Sequence, residues 1–103
     1  MKLYTINATC EQHKYTRQEN IDNHKHYAAS VAEILAEHKI DGFTIEQVDG
    51  YWQGVPERSY KISIATDDAM VLDRVCELLR DRYNQDAVMV TYPDNSVKFI
   101  ERP

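Results

Sequence analysis

The sequence predicts an α+β fold in which two helices cover one face of an antiparallel sheet. Three observations predict it. Short segments alternate apolar and polar residues with a period of two, as half-buried strands do. Two longer segments instead repeat their apolar residues at helical spacing, each opened by a capping residue. The order of the segments is strand, helix, two strands, helix, strand, with one strand more at the end.

The first strand is Lys2 to Thr9, where Tyr4, Ile6 and Ala8 alternate with Thr5, Asn7 and Thr9. Thr16-Arg-Gln-Glu19 then has the form of a capping box, a hydroxyl three residues ahead of a carboxylate. Ile21, His24, Ala28, Val31, Leu35 and His38 fall on one helical stripe, which Asp41-Gly42 ends as a turn or C-cap. Phe43 to Gln53 reads as the second strand. Its Val48 is out of phase with Phe43 and Ile45, so a bulge is expected near Asp49-Gly50. Tyr60, Ile62 and Ile64 alternate with Lys61, Ser63 and Ala65 in the third strand, and Gly54-Val-Pro56-Glu57 is the expected hairpin tip between the two. Thr66-Asp67-Asp68 caps a second helix with the stripe Leu72, Val75, Leu79 and Tyr83, flanked by Val71 and Cys76. Ala87 to Tyr92 and Val97 to Ile100 close the chain as strands joined by the turn Pro93-Asp94-Asn95-Ser96. Two split βαβ units with right-handed crossovers make a ferredoxin-like βαββαβ sandwich with an extra C-terminal strand, one domain over residues 1–103.

Composition bounds the function. The 103 residues carry 12 Lys+Arg against 17 Asp+Glu, a net charge of −5. The balance is spread evenly, and no basic face is present to release counterions, which argues against a nucleic-acid partner. No apolar run is long enough to span a bilayer, and the first residues lack the apolar stretch of a secretion signal, so no membrane partner and a cytoplasmic location are expected. The two cysteines, Cys10 and Cys76, are far apart, as in a reducing compartment. Only three glycines occur, Gly42, Gly50 and Gly54, so there is no glycine-rich phosphate loop, and no cofactor is expected.

Isolated candidates for chemistry have plainer explanations. On a helix, His24 and His26 point about 200° apart and cannot chelate one ion, and His13 and His38 complete no ligand spacing, so no metal is expected. Cys10 and His13 could be a thiol and its base, but no third group nearby would orient the base. Asp67 and Asp68 are helix caps. Arg74, Arg80 and Arg82 alternate with Asp73, Asp81 and Asp86 as an exposed, salt-bridged surface would. No catalytic set is assembled.

The segment Gly50 to Tyr60 is different. It holds the only Trp, two of the three glycines, a carboxylate, a guanidinium and a hydroxyl. Rigid rings beside charged groups suit recognition, because they bury area at small entropic cost. Tyr51, Trp52, Glu57, Arg58 and Ser59 are therefore the candidate ligand-binding residues. The sheet face without helices mixes polar and apolar residues (Thr5, Asn7, Lys61, Ser63, Met89, Thr91), which suggests cover from a second copy of the chain, in a dimer or trimer.

The pattern Gly42-Phe43-Thr44-Ile45, Gly50-x-Trp52-x-Gly54 and Glu57-x-Ser59 resembles one found in small uncharacterised bacterial and phage proteins with a ferredoxin-like fold. The layout is more distantly similar to PII and CutA proteins, and that likeness implies a homotrimer whose hairpin between strands two and three senses a ligand. The hairpin here is shorter than in PII and carries no nucleotide motif, so the likeness does not extend to ATP. The resulting expectation is a non-enzymatic homo-oligomeric module that binds a small molecule or a protein. A regulator, an inhibitor or a sequestering protein for a nucleotide signal would fit it. The alternative is a small dimeric α+β barrel enzyme with a pocket between sheets, where Tyr4, His13 and Trp52 would line the pocket.

Overall fold

A computed structural model describes all residues 1–103. The elements are β1 (Lys2–Ala8), α1 (Arg17–Glu37), β2 (Phe43–Trp52), β3 (Val55–Thr66), α2 (Ala69–Arg82), β4 (Ala87–Thr91) and β5 (Val97–Glu101). They build one five-stranded sheet in the order β2-β3-β1-β4-β5, with every neighbouring pair antiparallel. The ferredoxin-like sandwich is present, and β5 extends it beyond β4.

Alternation sets the core. Tyr4, Ile6 and Ala8 of β1, Tyr60, Ile62 and Ile64 of β3, and Val88 and Val90 of β4 are buried under the helices. From α2 come Leu72, Val75, Cys76, Leu79 and the capping Tyr83, as the stripe requires. From α1 come Tyr27, Val31, Ile34 and Leu35. The α1 stripe is rotated from the expected one: Ile21 and Ala28 face solvent, whereas Tyr27 is completely buried. An aromatic ring fills the wide space above β3 better than a methyl group would.

The ends of the helices follow their capping chemistry. Thr16 Oγ1 accepts from the Glu19 N–H at 3.1 Å, and Glu19 Oε1 accepts from the Thr16 N–H at 2.9 Å, so the capping box is formed. Asp68 caps α2 by accepting from the N–H groups of Met70 and Val71. The α1 C-terminus is not closed by Gly42. Lys39 takes the left-handed conformation (φ 60°) while the Lys39 and Ile40 N–H groups bond Ala36 O and Leu35 O, a Schellman closure.

Three further expectations are corrected. The β2–β3 register runs without interruption from Phe43↔Ile64 to Trp52↔Val55, so there is no bulge at Asp49-Gly50. The turn is the two residues Gln53-Gly54, both at positive φ (51° and 79°), and Val55 and Pro56 already belong to β3. Pro56 is tolerated because β1 pairs with β3 only from Tyr60 onward, leaving that end with one neighbour. Finally, Arg80 is not on the exposed charged surface. It is 7% exposed, and its Nη1 donates to Glu101 O at 2.6 Å, fastening β5 to α2.

No helix is long and apolar enough to cross a membrane. On the uncovered sheet face Leu3, Val97 and Phe99 are each more than half exposed.

Candidate functional site

Beyond the end of β1, residues 9–15 leave the sheet and pass between the start of α1 and the free end of β3. This connection is secured along its length. Thr9 Oγ1 donates to Arg58 O at 2.7 Å and accepts from the Glu11 N–H at 3.1 Å. Asn23 Nδ2 reaches Cys10 O, Asn20 bonds both the N–H and the carbonyl of Gln12, and Gln85 Nε2 donates to Glu11 O at 2.7 Å. A loop with its backbone groups satisfied in this way holds its side chains in place without regular structure.

Two adjoining clefts open here. The larger, about 680 Å³, is lined by Glu11, Arg17, Asn20, Ile21, His24, Lys25 and Arg58. The smaller, about 230 Å³, is lined by Glu11, Asp49, Gly50, Pro56, Glu57 and Arg58. The larger falls within the usual size of small-molecule sites. The larger cleft brings the cations Arg17, Lys25 and Arg58 together with Glu11, and the smaller gathers the carboxylates Glu11, Asp49 and Glu57 around Arg58.

His24 stands behind Glu11. Its Nε2 is 2.7 Å from Glu11 Oε1 and its Nδ1 is 2.7 Å from the Tyr60 hydroxyl, with Cys10 Sγ at 3.3 Å. The Tyr60 ring stacks on Tyr27 with centroids 4.2 Å apart, and Tyr27 leans on Tyr83 at 5.1 Å. Burial, and next the negative charge of Glu11, raise the Glu57 carboxyl above the ordinary glutamate range, while His13 opposes the shift. The Cys10 thiol is pushed up to about 12, chiefly by burial. It therefore stays protonated and is no nucleophile, since the thiolate is the reactive form.

Of the hairpin residues singled out by sequence, Glu57 and Arg58 reach the clefts. Tyr51 and Trp52 lie exposed toward the turn and line neither. Ser59 sits against Gly50, where an added Cβ would be 2.4 Å from the Ser59 oxygen. Tyr4 is buried on the helix side of the sheet, edge-on to Tyr92 at 5.7 Å, so a pocket on the uncovered face would not include it. His13 is exposed. Sequence reasoning passed over Glu11, Tyr60 and His24 as a set. Helical spacing compares His24 only with its neighbour His26, whereas the groups it bonds are 13 residues and 36 residues away. The apolar stripe did carry one signal, a histidine on its buried edge. No group of three or more His, Cys, Asp or Glu side chains is placed to hold a metal ion.

A small ferredoxin-like α+β domain with a charged cleft beside its central strands is one class of protein that this fold and site define. The chain belongs to the S-adenosylmethionine lyase family, whose model matches residues 6–102. It is similar to the structure of a phage SAM lyase in complex with S-methyl-5'-thioadenosine, at 14% identity and a TM-score of 0.65 over 98% of this chain and 89% of that one. It is also similar to a phage SAM lyase in the apo state, at 17% identity and a TM-score of 0.64 with the same coverage. A search of curated proteins found no match.

Family membership overturns two expectations. The resemblance to uncharacterised proteins is replaced by a family with a named activity, and the non-enzymatic binding module gives way to an enzyme acting on a small substrate. The sequence contains no assembled nucleophile or acid–base set.

Proposed function

We propose that this protein cleaves S-adenosylmethionine, releasing S-methyl-5'-thioadenosine. The observation that carries the reading is the family match over residues 6–102. A lyase adds no water, so the simplest balanced route is internal. The substrate's own carboxylate oxygen forms a bond to Cγ of the methionyl chain, the Cγ–S bond breaks, and its electron pair returns to sulfur. The products are a neutral thioether and homoserine lactone, and no proton is transferred.

Such a reaction needs positioning rather than a protein nucleophile. Holding the chain folded, with carboxylate oxygen and Cγ in contact, supplies the orientation. The sulfonium and carboxylate charges cancel in the transition state, so a site poorer in water than bulk solvent favours it. The raised carboxyl of Glu57 marks such a region. Glu11 and Glu57 both line the smaller cleft and repel one another, and a cation bound beside them relieves that repulsion. We assign Glu11, Glu57 and Arg58 to the substrate, with the carboxylates toward the sulfonium and Arg58 toward the anionic end. We also place the protein in the cytoplasm, where its two unpaired thiols stay reduced.

The test is incubation of the purified protein with S-adenosylmethionine, with products followed by mass spectrometry. Equimolar S-methyl-5'-thioadenosine and homoserine lactone are expected. In ¹⁸O-labelled water, label in a homoserine hydroxyl would show hydrolysis at Cγ instead, and no thioether release would end the reading. We retain a homo-oligomer, dimer or trimer, as part of the proposal, on the exposed Leu3, Val97 and Phe99 of the uncovered sheet face. Sedimentation velocity tests it, and a monomer at high concentration would remove it.

A further inference from the structure

Glu11 and Arg58 are common to both clefts, and Glu11 is the more completely held. Its N–H is bonded to Thr9, its carbonyl to Gln85, and its carboxylate to His24. The His24 side chain is only 9% exposed against 30% for Glu11, so the carboxylate faces the cleft and the imidazole stands behind it.

The Nε2 proton position follows from its partner. An ionised carboxylate only accepts, so His24 Nε2 carries the hydrogen that points to Glu11. In the neutral ring Nδ1 is then an acceptor, and the Tyr60 O–H and Cys10 S–H are the donors within reach. Cys10 keeps its proton because it is buried. The Tyr60 ring is itself held by stacking on Tyr27. The chain Tyr60–His24–Glu11 therefore runs from the packed core to the cleft wall, each member fixing the next. A supporting layer of this kind is what keeps a binding group within a fraction of an ångström of its working position.

We propose that His24 is the positioning residue of this cleft, holding the Glu11 carboxylate where it meets the positive charge of the substrate, with Tyr60 fixing the ring from behind. The identity of the cation rests on the lyase reading, but the positioning itself does not.

Two measurements on the full chain test this. In turnover, Glu11→Gln and His24→Ala each lower kcat/KM for S-adenosylmethionine on the order of 10²-fold, the loss typical of a misplaced group. The double variant is no worse than the poorer single one, because both remove the same function. His24→Gln, whose side-chain amide can still donate to Glu11, recovers part of the loss. Tyr60→Phe keeps the stacked ring and loses about tenfold, one hydrogen bond's worth. Losses that multiply in the double variant would overturn the proposal. If His24→Ala does not fold, His24→Gln and Tyr60→Phe carry the comparison.

The second measurement is substrate-free. The ¹⁵N signals of the His24 ring should report the Nε2–H tautomer and move in both Glu11→Gln and Tyr60→Phe. A ring protonated on Nδ1 alone and indifferent to Glu11→Gln refutes the positioning role at any level of activity. The expected ring signals in a protein that releases no thioether would instead sink the lyase reading and leave the positioning standing.

Discussion

Tyr27 and Tyr60 stack on each other in the core, yet removing their hydroxyls should move stability in opposite directions. Tyr27 is fully buried and its hydroxyl has no hydrogen-bond partner. Burial also raises its pKa well above the ordinary tyrosine value, so the group stays neutral and unpaired. A buried polar group without a partner costs about 1–3 kcal/mol. Tyr27→Phe removes that group and keeps the ring against Tyr60 and Tyr83, so a gain of about 1–2 kcal/mol is expected. For a domain of this size each kcal/mol raises Tm by roughly 4–8 °C. Tyr60→Phe instead deletes the 2.7 Å bond to His24 and should cost about 1–2 kcal/mol. Urea unfolding followed by circular dichroism separates the two, provided the m-values stay equal. If Tyr27→Phe proves as destabilising as Tyr60→Phe, the Tyr27 hydroxyl has a partner such as a buried water, and the reasoning fails.

Further outcomes follow from the same geometry. Thr16→Ala removes the capping box of α1 and should cost about 1 kcal/mol, measurable by urea titration. Glu57 has a folded pKa above its unfolded one, so the fold binds the extra proton. Its contribution to stability is present below the ordinary glutamate pKa and is lost as pH rises through the raised value. Glu57→Gln should therefore flatten the decline of Tm on going from acidic to neutral pH, and an unchanged slope would contradict the assigned burial. Cys10 is completely buried with its thiol pushed up to about 12, so iodoacetamide should leave it unmodified in the native protein and alkylate it in urea. Rapid native labelling, read by peptide mass spectrometry, would reopen a role for it.

Much of the architecture was legible because its signals are local. The alternation in β1 and β3, the Thr16 and Asp68 caps and the α2 stripe each depend on neighbours within a few residues. The failures were at phase and environment. Choosing Ala28 over Tyr27 on α1 was a matter of which side of a weakly amphipathic helix meets the sheet, and that depends on the space above β3. Arg80 resembled its exposed neighbours in sequence but is drawn inward by the Glu101 carbonyl, 21 residues away. The hairpin's aromatic and charged residues are adjacent in the chain, yet of those singled out only Glu57 and Arg58 lie in the clefts, and the Glu11, His24 and Tyr60 that bond to one another beside them are scattered in sequence.

Sequence alone determined the order of the elements, the antiparallel sheet and the helix starts, because periodicity and capping act over one or two turns of chain. Only the tertiary structure decided that a loop carboxylate, a helix histidine and a strand tyrosine form one hydrogen-bonded chain beside Glu57 and Arg58. Hydrogen bonds require contact within about 3 Å, and it is sheet pairing and helix packing that bring residues so distant in sequence within that reach.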